Sequence, residues 1–303
     1  TRWSLTTGPR IEQRSADYNN SDPFIDRSDD TMLGGKLVLS YQQSDDSFWY
    51  GSINRGYKAG GANTDGSLPD ELRTFDPEYL LNYELGYKVS LLDNTVFVRT
   101  AVFYMDRKDV QIKSSKTIVR EDSSSEFIAF LGNAATGSNL GLEIEANWQI
   151  NESVELYGSL GLLDTEFDDY IDVDGNLLSN EEQAHASNYQ FNLGINIQPT
   201  EHWLINFSVD GKEAFYFSDT RFYNGEPIIK KDITSDSIAL LNASLSYLND
   251  NYQVKLWARN LTDEDYANRG FYFGNDPRDG YTAKQYTQLS EPLVFGITLD
   301  YQF

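Results

Sequence analysis

The chain has 303 residues, a formal net charge of −23, no cysteine and only two histidines. Nucleic-acid binding is excluded as a partner class, because phosphate groups require a basic patch. The lack of cysteine excludes a disulfide framework and a thiolate metal site. Aromatic residues make up 14% of the chain, including 20 Tyr and 17 Phe, and these residue types favour strands and membrane–water boundaries.

Apolar and polar residues alternate along the chain from its first segment to its last. No run approaches the ~18 consecutive apolar residues of a transmembrane helix, but a barrel strand needs only ~9–11 residues and hides half of them from lipid. Alternation of this kind predicts half-buried strands, and we count about twelve strands with no amphipathic helix. The clearest alternating segments are 79–89, 140–150, 189–197, 203–209, 239–247, 252–258 and 293–303.

The connections between the predicted strands alternate between short and long. Short ones are predicted at 43–47, 91–94, 150–153, 198–202 and 248–251, and long ones at 17–32, 59–77, 114–126, 168–187, 216–235 and 261–290. An outer-membrane barrel places tight turns at its periplasmic end and long loops outside. Glu143 and Glu145 lie opposite an apolar row, where a watery lumen suits them better than a dry core. The alternative is a soluble β-sandwich or β-helix.

Six phrases occur in order along the chain: TTGPRIEQ (6–13), INRGYKAGGAN (53–63), NYELGYK (82–88), NLGLEIEANW (139–148), LWARNLTDEDYANRG (256–270) and EPLVFGITLDYQF (291–303). Together they resemble the C-terminal half of the barrel of TonB-dependent outer-membrane receptors. The chain begins without methionine or a signal peptide, so we expect a mature protein or a fragment.

The resemblance implies a barrel of about 22 strands with an N-terminal plug that contacts the TonB complex. Residues 1–303 would then be one domain, the C-terminal portion of an antiparallel transmembrane β-barrel, with the plug absent. Tyr301 and the terminal Phe303 look like the family's signal for the barrel-assembly machinery. The expected surroundings are the lipid and lipopolysaccharide of the bacterial outer membrane. We expect an open wall whose first and last strands are not paired.

The long loops hold the predicted ligand-binding residues. Aromatic side chains give contact area at low entropic cost, and arginine engages anionic groups. The predicted residues are Arg221, Tyr223, Arg269, Tyr272, Arg278 and Tyr281. The alternative for each is loop packing or an interfacial aromatic belt.

A metal site has one weak candidate. Asp172, Asp174 and Glu181 match positions of a calcium-binding loop, but Tyr170 occupies its first position, and a solvated acidic loop is the simpler interpretation. His185 and His202 lack a third ligand nearby in the sequence, and surface or turn positions are commoner for such histidines. We expect no cofactor.

The predicted function is import of a scarce nutrient, most simply a ferric siderophore, with TonB-derived energy and without catalysis. Cobalamin, haem and oligosaccharide remain open as ligands. The alternative is a complete small outer-membrane barrel that acts as a passive pore or a hydrolase. No serine in the sequence has the context of a nucleophile elbow, which argues against the hydrolase.

Overall fold

The structure is a computed structural model that describes residues 2–19, 25–119, 125–172, 175–223, 225–274, 276, 278, 280 and 282–302. The strands are β1 (Trp3–Asn19), β2 (Ile25–Ser44), β3 (Ser47–Lys58), β4 (Gly61–Ala62), β5 (Thr74–Phe75), β6 (Glu78–Leu91), β7 (Val96–Val119), β8 (Ser125–Asn151), β9 (Val154–Tyr170), β10 (Tyr189–Thr200), β11 (Trp203–Lys212), β12 (Phe222–Tyr223), β13 (Glu226–Pro227), β14 (Ile238–Leu248), β15 (Tyr252–Arg259), β16 (Ala267–Phe273), β17 (Lys284–Leu289) and β18 (Val294–Tyr301). The helical segments in these ranges are short 3-10 turns, among them Asp70–Leu72 and Lys230–Asp232, and no described helix is long and apolar enough to cross a membrane.

Twelve of the strands form one antiparallel sheet in the order β1-β2-β3-β6-β7-β8-β9-β10-β11-β14-β15-β18. Every long strand pairs with the next long strand along the chain, and the remaining short strands form separate two-stranded hairpins. β1 and β18 are the two ends of the sheet, and among the described residues they do not pair with each other. The predicted all-β antiparallel fold of about twelve strands is therefore confirmed, and the barrel wall is open.

The two faces of the sheet differ in chemistry, as the alternation predicts. One face, called the apolar face, carries rows such as Leu85, Val102, Leu142 and Leu162, which are direct neighbours across β6, β7, β8 and β9. Leu85 is 57% exposed, which suits a side chain that meets lipid rather than a protein core.

The opposite face, called the polar face, carries Glu143, Gly161, Gln190 and Lys212 as direct neighbours across β8, β9, β10 and β11. Its polar groups bond to one another: the Asn206 amide donates to Asn196 Oδ1 at 2.8 Å and to the Tyr157 hydroxyl at 2.8 Å. Arg99 and Glu145 form an ion pair on neighbouring strands. The polar face also lines an open cavity of about 530 Å³. The placement of Glu143 and Glu145 on this face agrees with the sequence prediction.

Aromatic rings cover glycines of the next strand, on the polar face in four pairs and on the apolar face in the pair Phe191–Gly211. The covered glycine is the direct cross-strand partner of the aromatic residue in the pairs Tyr50–Gly86, Phe103–Gly141, Tyr157–Gly194, Phe191–Gly211 and Trp257–Gly296. In each pair a Cβ atom on the glycine would overlap the ring. The ring shields a backbone that has no side chain of its own, which is a known device for stabilising glycine in sheets.

Large aromatic residues also gather near the short turns. Trp49 stacks on Tyr87 with ring centroids 4.1 Å apart, and Trp203 meets the edge of Tyr247 at 5.0 Å. Trp3 and Tyr41 form a further pair. Such residues, with one polar end and one apolar body, are typical of a membrane–water boundary.

The long connections contain more β-structure than the sequence predicts. β1 and β2 extend through most of the predicted loop 17–32, and β7 and β8 extend into the predicted loop 114–126. The loops 216–235 and 261–290 contain the hairpins β12–β13 and β16–β17. The alternation marks the part of each strand that has one apolar and one polar face, whereas the backbone pairing continues beyond that part.

Candidate ligand-binding loops

Three of the connections at the long-loop end of the wall are in contact with one another. They are loop 171–188 after β9, loop 213–237 after β11 and loop 260–293 after β15. A buried apolar cluster of Val110, Ile112, Phe167, Tyr170 and Leu178 seats loop 171–188 on β7 and β9, and Phe222 packs against this cluster from loop 213–237. The loops therefore have an apolar base of their own above the wall.

Arg221 joins two of these loops from a buried position. Its side chain is 7% exposed, and its Nη2 atom donates to the carbonyl oxygen of Glu182 at 2.7 Å. Its guanidinium lies 3.5 Å from the ring centroid of Tyr216, and the Glu181 carboxylate is 3.8 Å from its Nε atom. A cation over an aromatic face in a desolvated site gains more than it does at the surface.

Lys230 approaches the same ring. Its Nζ atom is 4.9 Å from the Tyr216 centroid and 3.6 Å from the Glu182 carboxylate. Two cations thus share one ring, and two consecutive carboxylates, Glu181 and Glu182, accompany them. The arrangement balances charge between loop 171–188 and loop 213–237.

Asp219 belongs to the same contact between loop 171–188 and loop 213–237, which we call the junction. Its carboxylate accepts a hydrogen bond from the Ala184 amide at 3.0 Å. Burial raises the pKa of Asp219, and the Ala184 amide and the charges of Arg221, His185 and Arg107 oppose this increase. Burial also lowers the pKa of Arg221, against the attraction of Asp219. Both shifts have desolvation as their main cause.

Arg107 holds the other side of loop 171–188. From β7 its Nη1 atom donates to Gln183 Oε1 at 2.8 Å, and its Nε atom donates to Glu78 Oε1 at 3.0 Å. The Gln183 amide in turn donates to Asn139 Oδ1 at 3.0 Å and to the Glu166 carbonyl oxygen at 2.9 Å. Gln183 and Glu78 are both buried, so these bonds fix the loop to the wall.

Loop 213–237 also supports the β16–β17 hairpin. The rings of Tyr223 and Tyr272 meet edge to face with centroids 5.8 Å apart. The Gln285 amide donates to the carbonyl oxygens of Lys231 at 3.3 Å and Thr234 at 3.4 Å. The three loops therefore form a connected structure at one end of the wall.

The family follows from the comparison of the sequence with known protein families. Residues 1–261 match the model of the TonB dependent receptor-like β-barrel. The chain belongs to the TonB-dependent receptor family. This confirms the resemblance found in the sequence.

Relatives of this TonB-dependent receptor chain are longer than the chain itself. The pesticin receptor of Yersinia pestis is 23% identical over 90% of this chain and 39% of its own length. The crystal structure of the ferric yersiniabactin uptake receptor FyuA from Yersinia pestis aligns with a TM-score of 0.75 and 21% identity, over 100% of this chain and 43% of that one. The siderophore receptor PiuA from Acinetobacter baumannii gives 0.71 and 14%, over 98% and 40%. The chain thus spans about two fifths of the relatives' length.

The predicted ligand-binding residues of this receptor chain occupy different environments. Arg221 is buried in the junction, and Tyr223 contacts Tyr272. Arg269 is exposed on β16, three positions from Tyr272. Arg278 is exposed and forms an ion pair with Asp276 at 2.8 Å. Tyr281 lies outside the described residues.

The sequence analysis did not single out the partners that surround Arg221. Tyr216, Glu182, Asp219 and Gln183 come from two loops without a repeating pattern, so no periodic signal marks them. The acidic pair next to Gln183 is visible in the sequence, but an acidic pair in a loop is usually solvated.

The weak calcium candidate has other bonding partners in the structure. The Asp172 carboxylate accepts hydrogen bonds from the backbone and side-chain amides of Asn176 at 2.8 and 2.9 Å, and Glu181 faces Arg221. Asp174 lies outside the described residues. Within the described ranges, no three His, Cys, Asp or Glu residues are grouped so that they could hold a metal ion.

The remaining predicted features are the histidines and the C-terminal strand. The His185 ring lies 5.5 Å from the Phe215 ring, and His202 Nδ1 lies 3.1 Å from the Leu248 carbonyl oxygen in the exposed turn after β10. Tyr301 pairs with Tyr252 at the end of β18. Phe303 lies outside the described residues.

We predict that pH changes the closure of the junction through Asp219. A carboxyl group whose pKa is raised in the closed state binds more protons there than in the open state, so the free energy of opening falls as pH rises from the ordinary value of about 3.9 to the raised pKa. Hydrogen exchange of the 181–185 amides in the full-length receptor, corrected for intrinsic rates, measures this. Asp219→Asn retains an acceptor for the Ala184 amide and should flatten the dependence. An unchanged slope in the variant would assign the titration to another group.

Proposed function

We propose that residues 1–303 are the C-terminal portion of the barrel of an outer-membrane receptor that captures a scarce nutrient outside the cell and imports it with TonB-derived energy. The two faces of the sheet support this proposal: one suits lipid, and the other suits a watery lumen. In this arrangement the short turns face the periplasm, and the long loops, including the three described above, face the outside.

The observation that carries the proposal is the connected set of loops above the polar face. Tyr223 meets Tyr272 on one face of the β16–β17 hairpin, and Arg269 and Phe271 lie on its other face, where Phe271 is 59% exposed. Aromatic and cationic side chains on a supported frame suit a compact anionic ligand with aromatic or apolar parts.

A ferric siderophore is the ligand class that we propose. The names of FyuA and PiuA, a ferric yersiniabactin uptake receptor and a siderophore receptor, support this class for a chain of the same family. Arg221, Arg278 and Tyr281 complete the proposed set of ligand-binding residues. Import is a transport step, so no bond of the ligand is made or broken.

The proposed partners follow from the same arrangement. The TonB complex would act through an N-terminal plug, and the barrel-assembly machinery would bind the C-terminal strand with Tyr301 and Phe303. Lipid would cover the apolar face, and lipopolysaccharide would surround the outer rim.

Uptake and binding assays on the full-length receptor test this function. Cells that express it as their sole siderophore receptor are supplied with radiolabelled ferric yersiniabactin, followed by other ferric siderophores, under iron starvation. We expect TonB-dependent uptake of at least one, and we expect Tyr272→Ala and Arg269→Ala to weaken binding about tenfold each, as hot-spot truncations do.

Tyr252→Ala is the matched control, because Tyr252 is an aromatic residue at the short-turn end of the wall. It should bind as the unmodified receptor does once surface levels are equalised. If none of the supplied siderophores is taken up through the receptor, the proposed ligand class is wrong. Equal binding by the Tyr272 and Tyr252 variants would contradict the proposed site.

A further inference from the structure

Residues 181–185, which we call the strap, lie between the barrel wall and loop 213–237. On the wall side, Gln183 accepts a hydrogen bond from Arg107 of β7. On the loop side, the carbonyl oxygen of the adjacent Glu182 accepts a hydrogen bond from Arg221. Two arginines from separate elements therefore hold neighbouring residues of one short segment.

The wall side of the strap is closely bonded and buried. The Gln183 backbone amide donates to Thr165 Oγ1 at 3.3 Å, while its side chain bonds to Arg107, Asn139 and the Glu166 carbonyl oxygen. Breaking such bonds in a buried site leaves polar groups unsatisfied, which costs more than the bond itself contributes. Gln183 is therefore expected to move only together with its partners.

The loop side is bonded at more than one point. Besides the Arg221 bond, the Ala184 amide donates to the Asp219 carboxylate at 3.0 Å, and the His185 amide donates to the Tyr216 carbonyl oxygen at 2.9 Å. Tyr216, Asp219 and Arg221 all belong to loop 213–237. The strap thus fixes one side of that loop along consecutive residues.

We propose that the strap couples the position of loop 213–237 to the polar face of the wall, with Arg107 and Arg221 as its two positioning residues. If Gln183 shifts by an ångström or two, the carbonyl oxygen of Glu182 shifts with it. Arg221 would then be a buried guanidinium that has lost a charge-assisted hydrogen bond, which is strongly unfavourable. Loss of one end therefore weakens the other end.

The coupling reaches further than the strap itself. Val102 and Tyr104 lie on the apolar face of β7, and Arg107 lies an odd number of positions from each of them. The Arg107 side chain therefore starts from the polar face. Loop 213–237 contacts the β16–β17 hairpin through Tyr223 and Tyr272. A change near Arg107 would therefore alter the outer hairpin without touching it. This inference goes beyond the proposed transport function and does not depend on the ligand.

Hydrogen exchange in the purified full-length receptor, without any ligand, tests the coupling. The reporters are the Phe217 amide, which bonds to the Ile233 carbonyl oxygen, and the Ile228 amide, which bonds to that of Arg221. We expect Arg107→Met to speed exchange of peptides that contain these amides roughly tenfold, the effect of losing one charge-assisted bond in local opening. Among the described residues no hydrogen bond joins Arg107 directly to loop 213–237, but its charge acts on Asp219 of that loop. Gln183→Leu keeps this charge and removes the acceptor on the strap, so it should speed exchange in loop 213–237 as well; no effect of Gln183→Leu there would contradict the proposal.

Arg99→Met is the matched control. Arg99 lies on the same strand and polar face and pairs with Glu145, so its loss removes the same charge without touching the strap. Exchange in loop 213–237 should stay within about twofold of the unmodified receptor. If Arg107→Met speeds exchange only in residues 181–185 and matches Arg99→Met in loop 213–237, the proposed coupling is wrong.

A double variant shows whether the Arg107 and Arg221 ends of the strap are coupled or act independently. If the ends are coupled, Arg107→Met with Arg221→Met should speed exchange no more than the stronger single variant. Effects that multiply would contradict the proposal. Peptides from β14 and β15 serve as the folding check. If Arg107→Met does not assemble, Gln183→Leu is used instead, because it removes the oxygen that accepts the Arg107 hydrogen bond. Faster exchange in loop 213–237 would support the coupling, and unchanged exchange there would contradict it.

Discussion

An arginine in place of Leu160 should sharply reduce the amount of folded receptor in the outer membrane. Leu160 lies six residues after the start of β9 on the apolar face, and its direct neighbours are Ile144 and Phe191. If this face meets lipid, the charge lies near the middle of the bilayer and costs about 2–4 kcal/mol. The folded fraction is measured by the heat-dependent gel shift of the full-length receptor extracted from membranes.

Ser159→Arg is a control one residue away on the opposite face. Ser159 lines the open cavity of the polar face, and its direct neighbours are Glu145 and Asn192. An arginine there has water, a carboxylate and an amide nearby, so the folded fraction should remain close to that of the unmodified receptor. A larger loss for Ser159→Arg than for Leu160→Arg would reverse the assignment of the two faces.

The wall could be predicted from the sequence because its constraint has a period of two. A strand with lipid on one side and water on the other must alternate, so the pattern alone assigns Glu143 to one face and Leu142 to the other. The order of the strands in the sheet needs no tertiary information either, since each long strand pairs with the next along the chain. The open wall is expected from the resemblance to a larger barrel, because twelve strands by themselves also permit a closed one.

The outer hairpins could not be predicted in this way. The continuation of β1 and β2 through 17–19 and 25–32 depends on backbone pairing and carries no continuous apolar row, so the pattern fades while the strands continue. The strap is also invisible in the sequence. Arg107 and Gln183 are far apart along the chain and meet only because β7, β9 and loop 171–188 are packed together.

Arg221 and Arg269 show the limit of composition as a guide to a site. Both are loop arginines next to aromatic residues, and the sequence gives no reason to separate them. The structure buries Arg221 against Tyr216 and leaves Arg269 exposed. Burial of an arginine in a loop depends on a carbonyl or carboxylate supplied by another loop, and such partners follow no local rule.

A valine in place of Gly86 should also disrupt the barrel, for a steric reason. Gly86 is the direct partner of Tyr50 on the neighbouring strand, and the Tyr50 ring covers it on the polar face while its hydroxyl donates to Glu84 Oε1 at 2.6 Å. A Cβ atom on residue 86 would overlap the ring. The ring must leave its position or the strands must separate, and we expect a loss of at least about 1–3 kcal/mol, as for overpacked cores. The folded fraction and the thermal midpoint of the full-length receptor measure the effect.

Two further variants decide whether the ring is the cause. Gly51→Val is the control, because Gly51 is also a strand glycine, next to Tyr50 in the chain, and the nearest atom to its added Cβ is the Glu84 carbonyl oxygen at 3.9 Å. It lies on the apolar face, where valine suits both strand and lipid, so the receptor should fold normally. Tyr50→Ala combined with Gly86→Val removes the overlap and should recover most of the folded fraction, since residues in contact act non-additively. If the double variant folds no better than Gly86→Val, the glycine is needed for its backbone conformation rather than for the space that the tyrosine ring occupies.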